Sequence, residues 1–263
     1  MRVTAPALVV VLLAVGCGDS KSSSPSVAPS PTTARAISTP GTGTGTGAAS
    51  TGAQHLTFTT TDGTVIDYVL LVPPGRTTGQ PGKVLFTFPP GGQDLDVTTR
   101  IVEDRWHDEA LVRGWVVVSP AAPSTGLFYD DPSAQLVPEL LDKIAVDYPP
   151  EDGRFDLAGV SNGGLSAFKA ALTFPERFRS LVVFPGYSQA GGDDPNLSKL
   201  KGIGVSMFVG GDDTGWRKAS EQTEQTLKGL GYPVELHVVA GSGHIIESLT
   251  GADLFDAIER VRA

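Results

Sequence analysis

One pentapeptide of this 263-residue sequence has the pattern that presents a nucleophilic serine. Ser161 lies in GVSNG, a GxSxG segment, which places a serine hydroxyl on a sharp turn between a strand and a helix. An apolar run at 155–160 precedes it, and an alanine-rich run at 164–174 follows until Pro175. The flanking glycines permit the strained turn and close packing. These residues predict that Ser161 attacks an acyl carbon.

A serine nucleophile needs a general base, and His244 is the best placed of the four histidines. It lies in AGSGH, a loop of small residues just past the last predicted strand. Catalytic residues concentrate in loops that a rigid sheet holds in place. The other histidines lie before the first strand, in a helix and within the last strand, where a structural role is more usual: His55, His107 and His237.

The acid that orients the histidine is expected in the loop GGDDT, which follows a predicted buried strand at 205–209. Asp213 is preferred because it follows Gly210 by three residues, the usual spacing of an acid turn. Asp212 is the alternative, and its other role is a solvated loop charge or a helix cap. A less favoured position after the preceding strand holds two acidic residues, Asp193 and Asp194.

The tetrahedral intermediate of acyl transfer needs backbone N–H groups directed at its oxyanion. The segment PPGGQ follows a predicted strand at 83–88, and its small residues allow close approach to a substrate. Gly92 is the predicted donor there, with Gln93 as the alternative. The residue after the nucleophile, Asn162, is the predicted second donor. An ordinary turn is the other interpretation of this segment.

The remaining pattern alternates strands with helices. Apolar runs predict eight strands, at residues 55–60, 67–72, 83–88, 115–119, 155–160, 180–184, 205–209 and 234–239. Helices are predicted at 98–112, 133–148, 164–174, 215–230 and 252–262. This alternation predicts an α/β domain with a mainly parallel, eight-stranded sheet and helices on both faces. Each candidate catalytic residue then falls at the carboxyl end of a strand, where active sites of such sheets form.

The amino-terminal segment has the pattern of an export signal. Arg2 precedes an apolar run at 5–15 that is too short to span a bilayer, so residues 1–16 are predicted to be a signal peptide. The sequence LAVGC resembles a bacterial lipobox, although Ala14 occupies the place of the usual large aliphatic residue. Cys17, the only cysteine, is therefore the predicted lipidation site and membrane anchor outside the cytoplasm. An ordinary secretory signal is the alternative.

Composition divides the exported part in two. Residues 17–53 are rich in Ser, Thr, Pro and Gly, including GTGTGTG at 41–47, and are predicted to be a disordered tether. Residues 54–263 have the length of one catalytic domain.

The segment at 185–202 is too short for a large lid domain, so the site is expected to be open. Four aromatic residues in nearby loops either line a pocket or pack at the edge of the core: Phe128, Tyr129, Tyr187 and Trp216.

A formal net charge of -9 argues against nucleic acid as a partner and repels anionic substrates at long range. The sequence shows neither a cluster of metal ligands nor a glycine loop for phosphate. No metal and no organic cofactor is therefore expected.

Taken together, the motifs resemble the α/β-hydrolase superfamily. GVSNGG followed by FPERF, then GGDD and GSGH, is most similar to its small esterase branch, which includes polyhydroxybutyrate-depolymerase-like and phospholipase/carboxylesterase-like proteins. The resemblance covers residues 54–263 and implies a triad of Ser161, Asp213 and His244. Pro90 departs from the pattern, since many relatives carry a histidine before the first oxyanion glycine.

The expected activity is hydrolysis of a small-molecule or polymer-derived carboxylic ester through an acyl-enzyme. A peptidase or amidase with the same triad is one alternative, because acyl-transfer chemistry does not define the leaving group. A lipid-anchored binding protein that has lost catalysis is the other alternative.

Overall fold

The computed structural model describes residues 52–262. The predicted signal peptide, Cys17 and all but the last two residues of the predicted tether lie outside the described residues. Across residues 52–262, no helix combines the length and apolar character needed to cross a membrane.

An eight-stranded sheet forms the centre of the domain, in the order β1-β2-β4-β3-β5-β6-β7-β8. The strands are β1 Gln54–Thr59, β2 Val65–Leu71, β3 Val84–Phe88, β4 Val116–Pro120, β5 Phe155–Gly159, β6 Phe178–Val183, β7 Gly204–Gly210 and β8 Val234–Val239. Only β2 runs opposite to the rest, because it pairs antiparallel with both β1 and β4, whereas the other neighbouring pairs are parallel. The predicted α/β class and mainly parallel eight-stranded sheet are confirmed.

Seven α-helices in the described residues accompany the sheet: α1 Leu95–Ile101, α2 His107–Arg113, α3 Asp131–Ala134, α4 Val137–Asp147, α5 Asn162–Thr173, α6 Thr214–Gly229 and α7 Gly251–Val261. Successive side chains of β3 point to opposite faces, so Phe86 and Leu85 enter different cores. Phe86 packs with residues of α4 and α5, whereas Leu85 packs with residues of α2 and α7. Helices thus cover both faces, and β3 to β7 are buried throughout.

Two predicted helices are interrupted in the structure. The helix predicted at 133–148 is split into α3 and α4, because Pro138 lacks an N–H and favours the first turn of a new helix. The helix predicted at 98–112 is divided by a π-helical turn, Val102–Trp106, in which the His107 N–H donates to the carbonyl of Val102. The extra residue in that turn changes the direction of the side chains that follow it.

A buried carboxylate lies near the start of β5, at the opposite end of the strand from the nucleophile turn. The side chain of Asp156 is 1% exposed and accepts a hydrogen bond of 2.6 Å from the Ser180 hydroxyl. Its Oδ2 lies 3.1 Å from Arg262 Nε, without hydrogen-bond geometry. Burial raises the pKa of Asp156 to about 6, against the opposing effects of Ser180 and of Arg262 and Arg179.

This raised pKa predicts a pH-dependent stability. The folded state favours the protonated form of Asp156. The contribution of this carboxyl to the free energy of unfolding is therefore complete well below its ordinary pKa near 4, and it is lost as the pH rises through about 6. The free energy of unfolding of the wild type, minus that of Asp156→Asn, should fall by about 2 kcal/mol between pH 4 and pH 7. Urea unfolding at several pH values measures this difference, with the exposed Glu176→Gln as control. A difference that rises with pH would show that the arginines dominate instead.

Candidate active site

Ser161 occupies the turn between the end of β5 and the start of α5. Its φ of 54° and ψ of -118° lie in a region that residues with a Cβ rarely adopt. Two backbone hydrogen bonds hold the turn, from the Ser161 N–H to the Pro185 carbonyl at 2.9 Å and from the Val160 N–H to the Phe88 carbonyl at 3.2 Å. The strained turn is therefore fastened to both neighbouring strand ends.

Close packing explains the glycines around the serine. A Cβ on Gly163 would lie 2.1 Å from the Phe88 carbonyl oxygen, and one on Gly159 would lie 2.1 Å from the Gly163 carbonyl oxygen. Both distances are impossible for a real side chain, so the first turn of α5 rests directly on the strand backbones. The GxSxG spacing is thus a packing requirement of this turn.

The three predicted catalytic side chains lie in one hydrogen-bonded row. Ser161 Oγ lies 2.7 Å from His244 Nε2, and His244 Nδ1 lies 2.6 Å from Asp213 Oδ2. The His244 side chain is 39% exposed, whereas that of Asp213 is 14% exposed. The imidazole is therefore open to a substrate on one side and faces a mostly buried carboxylate on the other.

Pairing of β7 with β8 brings the loop that carries Asp213 next to the loop that carries His244. Gly210 is opposite Val239 at the end of that pairing, and the Gly211 N–H donates to the Val239 carbonyl at 2.8 Å. One residue further on, the Asp212 N–H donates to the Ser242 carbonyl at 2.9 Å. These bonds join the two loops through their backbones, and they leave the Asp212 side chain exposed.

The other acidic candidates do not approach the histidine. Asp193 is exposed, and Asp194 caps a short 3-10 helix, Pro195–Leu200, by accepting from the Asn196 N–H. Burial raises the pKa of Asp194, but the hydrogen bonds from Ser188 and Asn196 outweigh it and lower the pKa overall. A structural role accounts for Asp194.

The remaining histidines make contacts of their own. His55 Nε2 lies 2.9 Å from Thr99 Oγ1, and His107 Nδ1 lies 2.8 Å from Asp108 Oδ1. The ring of His237 stacks on that of Phe208, with 4.6 Å between the ring centroids. None of the three contacts Ser161 within the described part of the chain.

The two predicted oxyanion donors are connected by a side chain. Asn162 Nδ2 donates to the Gly91 carbonyl at 2.9 Å, which holds the peptide unit that leads into Gly92. Gly92 is exposed, and Asn162 begins α5, where backbone N–H groups lack helical acceptors. Neither N–H donates to any residue in the 52–262 range, so both are available to a ligand.

Gln93, the alternative donor, has its own N–H occupied, since it donates to the Pro90 carbonyl at 3.1 Å. The side chain is fully buried although the backbone has a φ of 55°. Its Nε2 donates to the Pro89 carbonyl and to Ser166 Oγ, and its Oε1 accepts from the Phe128 N–H. The glutamine therefore supports the loop rather than facing the site.

Replacing Gln93 with methionine is expected to disturb this loop. Loss of the amide leaves several buried polar groups without partners, at a cost to stability of about 2–4 kcal/mol. If the predicted acyl-transfer activity is assayed, we expect kcat to fall more than tenfold with little change in KM, because the displaced Gly92 N–H is the predicted donor to the oxyanion. Gln135→Met, at an exposed glutamine, is the control. A variant with reduced stability and unchanged kcat would limit Gln93 to a purely structural role.

A pocket of about 280 Å³ adjoins Ser161 and His244. Its other lining residues are mainly apolar: Pro90, Ile101, Arg105, Val160, Phe184, Ile245 and Ile246. A larger cleft of about 370 Å³, beside Lys169 and Ser188, contains none of the three hydrogen-bonded side chains. The chemistry therefore belongs to the smaller pocket.

The aromatic residues expected near the site divide into two groups. Phe128 is 1% exposed and packs on Phe88 at 5.1 Å, so it is a core residue and the pocket interpretation is wrong for it. Trp216 lies edge-on to two rings, with centroid distances of 4.8 Å to His244 and 4.9 Å to Tyr187. This row of rings packs against His244, and Tyr129 is half-buried outside the pocket lining.

No group of residues at 52–262 has the composition and geometry to hold a metal ion.

No protein-family model and no curated protein matches this chain. Solved structures do resemble it. An S-formylglutathione hydrolase from Agrobacterium tumefaciens is 18% identical with a TM-score of 0.61, over 81% of this chain and 97% of that one. A thermostable esterase is 20% identical with a TM-score of 0.57, over 72% of this chain and 55% of that one.

The enterobactin esterase of Shigella flexneri is 23% identical with a TM-score of 0.56, over 79% of this chain and 58% of that one. The chain thus spans a little over half the length of the two esterases and nearly all of the hydrolase. The sheet order and these similarities agree. The chain has the α/β-hydrolase fold.

Proposed function

We propose that this protein is a serine hydrolase that cleaves carboxylic esters, with Ser161 as nucleophile, His244 as base and Asp213 as acid. The observation that carries the proposal is the row of hydrogen bonds of 2.7 and 2.6 Å from the serine through the histidine to the aspartate. A strained serine turn at the end of a central strand adds to it.

In the proposed mechanism, His244 Nε2 removes the proton of Ser161 as Oγ attacks the acyl carbon. The oxyanion of the tetrahedral intermediate accepts hydrogen bonds from the backbone N–H groups of Gly92 and Asn162. Collapse of the intermediate breaks the ester bond, and the imidazolium returns its proton to the leaving alcohol. Water then attacks the acyl-enzyme with His244 again as base, which releases the acid and restores the serine.

Asp213 supports both steps by accepting from His244 Nδ1. This contact holds the imidazole in the tautomer whose Nε2 lone pair faces the serine, and it stabilises the imidazolium. The pocket supplies an apolar surface for one part of the ester. Ester cleavage is favoured over amide cleavage because the similar structures named above include two esterases, one for enterobactin.

A fluorophosphonate probe tests the nucleophile directly. The wild type should be labelled at Ser161 and Ser161→Ala should not be labelled. A panel of 4-nitrophenyl esters and the matching 4-nitroanilides then separates ester from amide cleavage. Equal labelling of the variant, or faster turnover of the anilides, would contradict the proposal.

A further inference from the structure

One cationic side chain lines the pocket beside the nucleophile. Arg105 belongs to the π-helical turn Val102–Trp106, and it is half-buried there. The other lining residues, apart from Ser161 and His244, are proline, aliphatic residues and Phe184. A guanidinium in such a wall is unusual, because charged groups near apolar surface are normally paired.

Arg105 has no carboxylate partner among the described residues, where the ion pairs involve other arginines and lysines: Lys83, Arg113, Lys143, Lys169, Arg177, Arg179, Arg217, Lys228, Arg260 and Arg262. Its Nη1 instead donates to the carbonyl of Leu249 at 2.6 Å. That bond positions the guanidinium without neutralising it. None of its other nitrogens is a buried donor without a partner, so they remain accessible.

The acidic side chains that line a second cleft together with Arg105 do not take the place of a partner. Arg105 also borders a second cleft, lined by Glu103, Asp104, Asp108 and Glu109 among others. None of the four forms an ion pair with it. These carboxylates lower the local potential, yet none of them accepts a hydrogen bond from Arg105, whose Nη1 donates to Leu249 instead.

A free guanidinium recognises a carboxylate particularly well, because its N–H groups match both oxygens. In an apolar pocket the bond is worth more than in water. We propose that this pocket binds the part of the ester that carries a carboxylate, and that Arg105 determines this preference. The inference rests on the proposed hydrolase function and names the class of ester that the site takes: one with an anionic group on the part that enters the pocket.

The net charge of -9 does not conflict with this preference. Its repulsion acts over distance and is screened beyond about 8 Å at physiological salt. Arg105 acts at contact, where a single charge-assisted hydrogen bond exceeds the screened field of distant groups.

Matched ester pairs test the inference. In one series the acyl part ends in a carboxylate or in the isosteric neutral amide, as in the 4-nitrophenyl half-esters and monoamide esters of adipic, pimelic and suberic acids. In a second series the alcohol part carries the same pair of groups. We expect the wild type to prefer the anionic member of one series by roughly ten- to a hundredfold in kcat/KM.

Three variants test whether Arg105 causes the preference for the anionic ester. Arg105→Gln should remove it, so that the ratio of kcat/KM for the anionic and neutral members of each pair falls to about one. Arg105→Lys, which retains the charge without the planar fork, should keep part of it. Arg100→Gln removes an exposed charge from the last turn of α1 and should leave it unchanged.

The wild-type measurement alone overturns the inference if neither series shows a preference for the anion. Retention of the preference in Arg105→Gln, or its equal loss in Arg100→Gln, would also overturn it. Neutral-ester turnover reports separately on the proposed function. If the wild type hydrolyses no ester, or Ser161→Ala hydrolyses them equally, the hydrolase assignment fails and this inference fails with it.

Discussion

Replacing Ser161 with alanine is expected to lower kcat for ester hydrolysis on the order of 10⁴-fold or more. Alanine removes the proposed nucleophile, Oγ, and the 2.7 Å contact with His244 is the only side-chain hydrogen bond of Ser161 to the described residues. Alanine and serine tolerate the φ of 54° about equally, because both carry a Cβ. Stability should therefore change little, and substrate should still bind.

Steady-state kinetics with a 4-nitrophenyl ester, together with thermal unfolding, measures both quantities. Ser248→Ala, at an exposed serine near the histidine loop, is the matched control and should retain wild-type kcat. A Ser161→Ala protein that is fully folded and keeps more than a tenth of the wild-type rate would remove Ser161 from the mechanism.

Asp213→Asn is expected to lower kcat on the order of 10³- to 10⁴-fold. The substituted amide presents either an N–H to His244 Nδ1 or a weaker neutral acceptor, so the imidazole loses the tautomer that activates the serine. The side chain of Asp213 does not cap α6, although the residue stands at its amino end. The loss should therefore appear in the rate rather than in stability.

Asp212→Asn is the natural control, since it removes the same charge one residue away. Its side chain is exposed, and only its backbone N–H joins the loop to Ser242. We expect a change of less than about threefold, typical of a screened surface charge. A greater loss of kcat in Asp212→Asn than in Asp213→Asn would exchange the roles of the two residues.

Local patterns along the chain predicted much of the fold. All eight strands lie within about two residues of the apolar runs that predicted them, as β8 at Val234–Val239 shows. Apolar runs and turn residues act on their immediate neighbours, so they are visible without tertiary structure. For the same reason GVSNG identified a strand, a turn and a helix around Ser161 before the distance to any partner was available.

Contacts between distant segments were decided only by packing. The spacing from Gly210 favoured Asp213 over Asp212, but the contact itself depends on the pairing of β7 with β8, which brings Asp213 Oδ2 to 2.6 Å from His244 Nδ1. Gln93 contacts Ser166 across 73 positions and Phe128 across 35, so its supporting role had no local signal.

The position of Arg105 at the pocket is another feature that the sequence pattern did not predict. The sequence places it within a predicted helix, whereas in the structure it belongs to a π-helical turn, donates to the carbonyl of Leu249, 144 positions away, and lines the pocket that Ser161 also lines. The sequence by itself determined the elements and the chemical groups at their ends, because those depend on neighbouring residues. The tertiary structure decided which groups meet and which remain unpaired, because that depends on the order of strands in the sheet and on close packing between them.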